Sequence, residues 1–536
     1  MKQIKLLTLT LLLLSGMLCL SAINELPLIA EFQGEHIKSR FGYQLVCLDF
    51  NHDGYDDLIV SSRSYGYSYP YTPPRGKVYV YYGGPGFSSN TAPAMSLEGD
   101  YPNGMQRIVA TIHNVGDVNG DGFDDLMITD YVPGSGNMPM EESVRFMIYY
   151  GCSNDLSTPN VVLMLTPGES WGRIYKLGDI DGDGYDDIGI WYCMSGGRHL
   201  LDIVWGGSFE RQNMIDMVVI DDPDFSIVGL GDINNDGYHD FSVGYYDADG
   251  YSNIRVYYGN QDRVYEEYAQ ILHRYALWAV TRRCVPLGDL NNDGFADFMG
   301  WLPLSGDITV WLGSSSLPTM EPSLMLSAFG GEYAMPPRTT DSAGITYGDL
   351  NGDGYDDVIA LGFLRFGVWL GGSNMNGYVD LTVSNPNLRD FPFVVAGDFN
   401  GDGFDDVAVS VPELRYDNYH PGYMYVYAGN PGLVTNDDAL IPEAQDGFRL
   451  TCSPNPVSNK SKMKVRFSGI KEKVPVPTEI SVYNLRGQLV YQTKVAQCRP
   501  SIDYLELDLT DYASGIYICQ ARIGSLQSSK RFTIIK

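Results

Sequence analysis

Short apolar runs separated by turns rich in Gly and Asp make up most of the chain. Tyr43 to Phe50 leads into an Asp-rich segment, and a second apolar run, Leu58 to Val60, leaves it. A Tyr-rich run that ends in glycine follows, Lys77 to Gly84, and several units add a fourth run such as Ala94 to Leu97. Runs this short, bounded by Gly and Asp, are typical of β-strands, and no long amphipathic helical pattern is found.

The Asp-rich segment is a nine-residue motif that recurs seven times. It has Asp at positions 1, 5 and 9, Asn or Asp at position 3, Gly at position 6 and Tyr or Phe at position 7. The intervals between motifs are 68, 62, 53, 57, 60 and 49 residues, and a period of this size marks a repeat architecture. Four short strands per repeat form one propeller blade, so the sequence predicts an all-β protein with a seven-bladed β-propeller followed by a small C-terminal β-sandwich. The motifs begin at Asp49, Asp117, Asp179, Asp232, Asp289, Asp349 and Asp398.

Closure of the ring requires one further strand. Leu28 to Phe32 precedes the first motif and is the favoured outer strand of the last blade. Ala439 to Ile441 is the alternative.

Composition divides the chain into three parts. Residues 1–22 have Lys2 and Lys5 before a short apolar run, which is typical of a signal peptide. Residues 23–445 form the predicted propeller, and residues 446–536 change in composition and show the alternating pattern of a β-sandwich. The sequence therefore predicts a secreted protein, extracellular or at the outer cell surface.

Charge excludes one class of partner. The formal net charge is -30, and nucleic-acid binding needs clustered Lys and Arg. We therefore expect no nucleic-acid partner. No segment after the leader is long and apolar enough to predict a transmembrane span.

The motif has the donor chemistry of a calcium loop. Alternate side chains in a tight turn point to one side, and Gly at position 6 allows the sharp turn that brings position 9 back. Several hard oxygen ligands suit Ca²⁺ better than Mg²⁺. We therefore expect up to seven Ca²⁺ ions in a structural role. The predicted ligands, position 7 through its carbonyl oxygen, are Asp49, Asn51, Asp53, Tyr55, Asp57, Asp117, Asn119, Asp121, Phe123, Asp125, Asp179, Asp181, Asp183, Tyr185, Asp187, Asp232, Asn234, Asp236, Tyr238, Asp240, Asp289, Asn291, Asp293, Phe295, Asp297, Asp349, Asn351, Asp353, Tyr355, Asp357, Asp398, Asn400, Asp402, Phe404 and Asp406.

Two other interpretations of the motif fit it less well. A plain Asp-Gly turn would not require five fixed positions in seven copies, and the carboxylates held together without metal would repel one another. An EF-hand needs Glu at position 12, where the first loop has Val60 and the fifth has Gly300. Position 8 is His239 in the fourth loop and Ala296 in the fifth, so we predict that it is not a ligand.

The repeats resemble the FG-GAP repeats of integrin α-chain propellers. The resemblance rests on Phe41-Gly42, on the seven Asp loops and on the Gly-Lys-Val-Tyr-Val-Tyr stretch that starts at Gly76, and it covers roughly residues 27–430. It implies calcium in the loops and ligand binding on the opposite face of the propeller.

The last part of the chain is similar to the C-terminal sorting domains of type IX secretion in Bacteroidetes. The matching segments are Ser453 to Pro456, Tyr483 to Gln488, Gly515 to Tyr517 and Lys530 to Lys536. The resemblance implies the type IX secretion machinery as a partner. A generic β-sandwich adhesive module is the alternative.

Aromatic residues mark a candidate ligand face, because exposed rings can stack on sugars or anchor a peptide. Packing between blades is the alternative role, above all for Trp. Three hypotheses follow: a non-catalytic binding or adhesion protein for glycan or protein ligands, which is favoured; a calcium-dependent polysaccharide lyase or hydrolase; and a purely structural surface protein. We predict no catalytic residues, and neither HExxH nor GxSxG occurs. The candidate ligand residues are Tyr65, Tyr67, Tyr69, Tyr71, Arg75, Trp171, Trp191 and Trp301.

Overall fold

The computed structural model divides into two compact units, Met1–Thr435 and Asn436–Lys536. The structure describes residues 25–65, 75–99, 108–131, 144–152, 155–165, 169–194, 199–213, 226–246, 249, 251–265, 268–275, 284–300, 307–327, 344–362, 364–373, 375–388, 393–412, 420–433, 449–453, 457–458, 462–468, 476–484, 489–498, 504–507, 512, 515–523 and 526–535.

Every regular element in the described part of the first unit is a β-strand. The strands are β1 (Leu28–Gln33), β2 (Phe41–Leu48), β3 (Asp57–Ser62), β4 (Lys77–Tyr81), β5 (Met95–Glu98), β6 (Ile108–Gly116), β7 (Asp125–Tyr131), β8 (Arg145–Tyr149), β9 (Val161–Met164), β10 (Glu169–Gly178), β11 (Asp187–Met194), β12 (His199–Val204), β13 (Arg211–Asn213), β14 (Ser226–Gly231), β15 (Asp240–Tyr246), β16 (Tyr251–Tyr257), β17 (Tyr268–Tyr275), β18 (Val285–Gly288), β19 (Asp297–Met299), β20 (Ile308–Trp311), β21 (Leu324–Leu326), β22 (Ile345–Gly348), β23 (Asp357–Gly362), β24 (Arg365–Trp369), β25 (Leu381–Ser384), β26 (Val394–Gly397), β27 (Asp406–Val411) and β28 (Tyr423–Tyr427).

These strands form seven antiparallel four-stranded sheets. Six sheets use four consecutive strands, β2 to β5 in the first and β22 to β25 in the sixth. The inner strands β2, β6, β10, β14, β18, β22 and β26 contact one another in that order, and β26 contacts β2. The sheets therefore form a closed ring, which confirms the predicted all-β fold with a seven-bladed β-propeller.

The first strand in the described part of the chain, β1, closes the ring. The seventh sheet has the order β1-β28-β27-β26, so its outer strand comes from the N-terminal end of the propeller. Ala30 is paired with Val426 and Phe32 with Met424. This pairing confirms the strand favoured from the sequence, whereas the alternative at residues 439–441 lies outside the described part of the chain.

The propeller core lies between neighbouring blades. Seven hydrophobic clusters each combine residues from two adjacent sheets, as where Ile59 of the first blade and Ile128 of the second are both fully buried. The second strand of a blade has neighbours on both faces, and β3, β23 and β27 are buried at every position. This double burial explains why these strands are continuous apolar runs instead of alternating ones.

The second unit has two sheets. Its described strands are β29 (Arg449–Ser453), β30 (Val457–Ser458), β31 (Met463–Ser468), β32 (Val476–Asn484), β33 (Leu489–Cys498), β34 (Tyr504–Leu507), β35 (Gly515–Ile523) and β36 (Leu526–Ile535). One sheet has the order β29-β31-β34 and the other β30-β36-β35-β32-β33. Val465 and Leu507 of the first sheet and Val482 and Ala521 of the second are buried, as expected for a small β-sandwich.

Over the described ranges of both units, the structure has no helix with the length and apolar character needed to cross a bilayer.

Candidate functional site

The seven Asp loops connect the first and second strands of the blades. All seven lie within the described residues, and because the inner strands run in the same direction around the ring, the loops emerge on one face. The residues predicted at positions 1, 3, 5, 7 and 9 thus lie on that face. Among the described residues, three carboxylates with oxygens within 4.8 Å of one another occur in the third loop alone, at Asp179, Asp181 and Asp187. The loops begin with Asp49, Asp117, Asp179, Asp232, Asp289, Asp349 and Asp398.

Each loop is ordered by hydrogen bonds from its own backbone. In the first, the amides of Asp53 and Gly54 donate to Asp49 Oδ1 and Oδ2, at 3.1 and 2.9 Å. The amide of Tyr55 donates to Asp53 Oδ1 at 3.1 Å. The equivalent three bonds are present in the other six loops. The carboxylates at positions 1 and 5 thus fold the loop as well as offering oxygens to a cation.

Position 4 has a backbone role that was not predicted from the sequence. It has positive φ in all seven loops: it is Gly in four of them, and it is His52 (φ 58°), Asn235 (φ 55°) and Asn292 (φ 53°) in the others. Gly and Asn tolerate the left-handed conformation best, so the recurrence of Gly or Asn at this position was the signal available.

Position 9 holds a buried carboxylate. Asp57 is 0 % exposed; its Oδ2 accepts the amide of Phe50 at 3.0 Å and its Oδ1 the amide of Gly83 at 2.9 Å. It therefore ties the start of its own loop to the end of the third strand of its blade. Burial away from water raises the pKa of Asp57 to about 7. All seven residues at this position are 0 % exposed: Asp57, Asp125, Asp187, Asp240, Asp297, Asp357 and Asp406.

The donor set fits a calcium ion. Positions 1, 3, 5 and 9 supply side-chain oxygens and position 7 a carbonyl, all of them hard ligands. In the third loop, carboxylate oxygens of Asp179, Asp181 and Asp187 lie within 4.8 Å of one another. Two oxygens bound to one Ca²⁺ at about 2.3–2.6 Å are at most about 5 Å apart, so this separation is compatible with a shared ion. A bound ion would supply positive charge beside the buried carboxylate of Asp187, which accepts hydrogen bonds from the backbone amides of Ile180 and Gly206.

Position 8 contacts the neighbouring blade. Asp186 Oδ2 accepts the amide of Asp117 at 3.1 Å, and the amide of Asp186 donates to the carbonyl of Asp117 at 2.9 Å. We call this reciprocal pair, between position 8 of one loop and position 1 of the preceding loop, the latch. At five of the seven loops the position-8 side chain accepts a hydrogen bond from the position-1 amide of the preceding loop. The accepting residues are Asp56, Asp186, His239, Asp356 and Asp405.

A glycine before position 1 makes room for the latch. A Cβ on Gly116 would lie 1.7 Å from Asp186 Oδ2. Six of the seven motifs have glycine there, and the first has Leu48 instead. At that junction Asp124 accepts a hydrogen bond from Asn114 Nδ2 at 2.6 Å instead of from the amide of Asp49. The Gly-Asp dipeptide was thus a sequence signal for contact between blades.

Substitution of Gly116 by Ala tests the latch. We expect Gly116→Ala to lower the free energy of unfolding by about 3 kcal/mol, because φ is +78°, and because the new Cβ displaces Asp186 from a backbone amide. Gly122→Ala is the control: φ is +91° but nothing lies within 4 Å, so only the backbone strain of about 1 kcal/mol applies. Denaturant unfolding without calcium measures both, and equal losses would contradict the latch.

A cavity of about 700 Å³ lies between the inner strands. Position-8 residues Asp56, Asp356 and Asp405 are among its lining. Lys176 Nζ lies 3.5 Å from a carboxylate oxygen of both Asp124 and Asp186. Asp56, Asp356 and Asp405 thus make part of the cavity lining acidic. Lys176, which also lines the cavity, neutralises this negative charge in part.

The predicted ligand residues are not all on an exposed rim. Trp191 is 5 % exposed and belongs to the core between the third and fourth blades, so its prediction as an exposed ligand residue is wrong: β11 is covered on both faces. Tyr65 is also mostly buried, at 9 %, and its hydroxyl donates to Glu35 Oε2 at 3.1 Å. Tyr67, Tyr69, Tyr71 and Trp301 lie outside the described residues, as does the side chain of Trp171.

Arg75 is the predicted ligand residue with a substantially exposed side chain, at 41 %. Its guanidinium lies 2.9 Å from Glu98, and its amide donates to the carbonyl of Tyr65 at 2.9 Å. This backbone bond closes the base of the connector between β3 and β4, on the face opposite the Asp loops.

Family comparisons agree with both parts of the chain. The FG-GAP repeat family matches residues 41–81 and 392–427, and an FG-GAP-like repeat family matches residues 232–300. The secretion system C-terminal sorting domain family matches residues 452–536. The chain therefore contains FG-GAP repeats and a type IX sorting domain, which implies interaction with the secretion machinery. It is a protein that is secreted or displayed at the outer cell surface.

Curated relatives are similar to this chain over about a third of its length. Phosphatidylinositol-glycan-specific phospholipase D of Mus musculus is 31% identical over 209 residues, which is 37% of this chain and 24% of the relative. Integrin alpha-7 of Rattus norvegicus is 34% identical over 180 residues, 31% of this chain and 14% of the relative. The chain thus spans about a quarter or less of the length of these relatives.

Two solved structures are similar at low sequence identity. PorZ, a bacterial surface component of the type IX secretion system of Porphyromonas gingivalis, has a TM-score of 0.39 and 12% identity, over 92% of this chain and 59% of PorZ. AofleA from Arthrobotrys oligospora has a TM-score of 0.32 and 10% identity, over 60% of this chain and 86% of AofleA.

Proposed function

We propose that this exported FG-GAP propeller is a calcium-braced, non-catalytic binding or adhesion module for an extracellular glycan or protein ligand. In this proposal residues 23–445 are the propeller, residues 1–22 are removed on export, and residues 446–536 direct secretion. Up to seven Ca²⁺ ions occupy the loops.

The repeated loop geometry is the observation that carries the proposal. Seven loops have the same backbone bonds to positions 1 and 5 and the same buried carboxylate at position 9. A catalytic metal needs an open coordination position and a reacting group beside it. Seven similar loops, one in each blade, instead indicate a structural ion that stabilises each hairpin and each latch.

The ligand surface is proposed on the face opposite the Asp loops. There the connectors between second and third strands and between consecutive blades meet, and loops on a rigid scaffold are common binding elements. Arg75 is the described residue that offers a substantially exposed guanidinium on this face. Arg suits both hydrogen bonding to the hydroxyl groups of a sugar and pairing with a carboxylate.

A binding screen tests the function. The exported chain, in calcium or in chelator, is applied to arrays of polysaccharides and extracellular matrix proteins. We expect saturable binding in calcium, its loss in chelator, and weaker binding by Arg75→Ala, whose guanidinium is exposed at the proposed face. Arg211→Ala, which removes an Arg–Asp pair of the third blade, is the matched control and should bind as the parent does.

The same screen addresses the enzymatic alternative. A polysaccharide lyase or hydrolase would release soluble fragments from the arrayed polymer with time, whereas a binding module leaves the polymer intact. Fragment release that depends on the chain would replace the adhesion proposal. Absence of any retained ligand in calcium would favour the purely structural role.

A further inference from the structure

The third Asp loop differs from the other six. It has Asp181 at position 3, where the others have Asn, and it therefore holds five carboxylates. Asp181 is 3 % exposed, so its charge is removed from water and needs a partner.

Arg263 is that partner. Its Nε donates to Asp181 Oδ2 at 2.6 Å, and one terminal nitrogen pairs with the same oxygen. The guanidinium also donates to Asp183 Oδ2 at 3.3 Å. Its carbon lies 4.1 Å from the centre of the Trp205 ring, within the range of a cation–π contact. Two carboxylates and one aromatic ring thus position a single arginine against the loop.

Arg263 reaches the loop from the next blade through a fixed connector. The amide of Asn260 donates to the carbonyl of Ile180, position 2 of the third loop, at 2.9 Å. The amide of Arg263 then donates to the carbonyl of Asn260 at 3.2 Å, and Arg263 has φ +55°. We call this bond, from a connector amide to the carbonyl at position 2 of the preceding loop, the anchor. Every blade has one, and the donating residues are Gly84, Cys152, Gly207, Asn260, Ser314, Gly372 and Asn430.

No other connector has a basic residue at this place. Three positions after the anchor the other six blades have Phe87, Asp155, Glu210, Leu317, Met375 and Leu433. Among the seven junctions, only the one between the third and fourth blades has an acidic residue at position 3, Asp181, and a basic residue opposite it, Arg263.

Arg263 also donates the hydrogen bond to position 5 that the Asn side chain at position 3 donates in other loops. In the sixth loop, Asn351 Nδ2 donates to Asp353 Oδ2 at 3.0 Å. Asp181 has no N–H to donate, and Arg263 supplies the donor to Asp183 Oδ2. The third loop thus has a cation from the chain itself on the oxygens of positions 3 and 5.

We propose that Arg263 is a tethered cation that competes with calcium for the third loop and holds this loop folded when calcium is absent. The proposal rests on calcium binding by the loops, as proposed above. A guanidinium beside these carboxylates repels an incoming divalent ion and, without the ion, offsets the repulsion between carboxylates. Among the seven loops, the third is then the least dependent on calcium for its conformation.

Removal of the charge tests both halves of the proposal. Calorimetry with calcium on the full chain should show that Arg263→Gln tightens one site of the set about tenfold, equivalent to about 1.4 kcal/mol. In chelator, hydrogen exchange at the amides of Asp183, Gly184 and Tyr185 should be slower than at the sixth loop in the parent chain. In Arg263→Gln it should rise to the rate of the sixth loop.

Two further variants control the result. Arg211→Gln removes the ion pair between Arg211 and Asp202 of the third blade, and should change neither readout. The double variant Asp181→Asn, Arg263→Leu reproduces the Asn351 and Leu433 combination of the sixth loop, and its third loop should exchange like the sixth.

The outcomes separate the two proposals. An unchanged isotherm and unchanged exchange in Arg263→Gln would overturn the role of Arg263 while leaving calcium binding by the other loops intact. If no loop of any variant takes up calcium, the calcium proposal fails, and with it the competition. Exchange in chelator would then still decide whether Arg263 holds the loop.

Discussion

Removal of calcium is expected to lower the midpoint of thermal unfolding of the exported chain by about 10 to 20 °C. An ion present at about 100 times its Kd stabilises the folded state by about 2.7 kcal/mol per site. Seven loops give a total of order 10 to 20 kcal/mol if most are filled. A propeller of about 400 residues has an unfolding entropy near 0.8 kcal/mol per degree, so the shift follows.

The physical cause is the buried carboxylate of each loop. Asp57 and its six equivalents are 0 % exposed, and without a cation they accept backbone amides, to which Asn119 and Asn400 add a side-chain amide at Asp125 and Asp406. Scanning calorimetry in calcium, in chelator and in chelator with added magnesium measures the effect. Calcium should restore the midpoint better than magnesium, since the loop offers a flexible set of oxygens and not a small octahedral shell. A midpoint that is the same in all three would show that the loops are turns only.

Asp357→Ala should lower the free energy of unfolding by about 4 kcal/mol in chelator. The carboxylate is fully buried; its Oδ1 accepts the amide of Gly371 at 2.8 Å and its Oδ2 the amide of Leu350 at 3.0 Å. Truncation leaves two buried donors without a partner, each of which costs about 1 to 3 kcal/mol. The substitution also separates the loop from the end of the third strand of its blade.

Asp353→Ala is the matched control within the same loop. Asp353 is exposed, and its side chain accepts bonds from Tyr355 and Asn351, both within the loop. We expect a loss of at most about 1 kcal/mol in chelator, because water can replace these partners. In calcium both variants should bind one ion fewer than the parent chain. Equal losses in chelator would mean that position 9 has no role apart from the metal.

Local spacing explains what was predictable from the sequence. The strand pattern, the turn at position 6 and the alternation of positions 1, 3 and 5 all lie within one repeat, and their recurrence in seven copies made the blades and loops predictable. Ring closure by Leu28–Gln33 was accessible because an apolar run stands before the first motif without a blade of its own.

Contacts between repeats explain what was missed. The bond from Asp117 to Asp186 joins residues 69 positions apart, and the Gly-Asp dipeptide marks a close contact without identifying its partner. Arg263 lies 82 positions from Asp181 in an otherwise ordinary turn. Trp191 was misplaced because burial on both faces of a second strand depends on the neighbouring blade and not on its own alternation.

The pairing of β1 with β28 also has a kinetic consequence. Residues near 30 and 426 must meet before the seventh sheet is complete, whereas the other six sheets are built from consecutive strands. Formation of contacts so distant in sequence is slow, because the entropy of loop closure is lost before the contacts form. We therefore expect individual blades to form early and the ring to close last, with β28 as an exposed sheet edge until the N-terminal strand arrives.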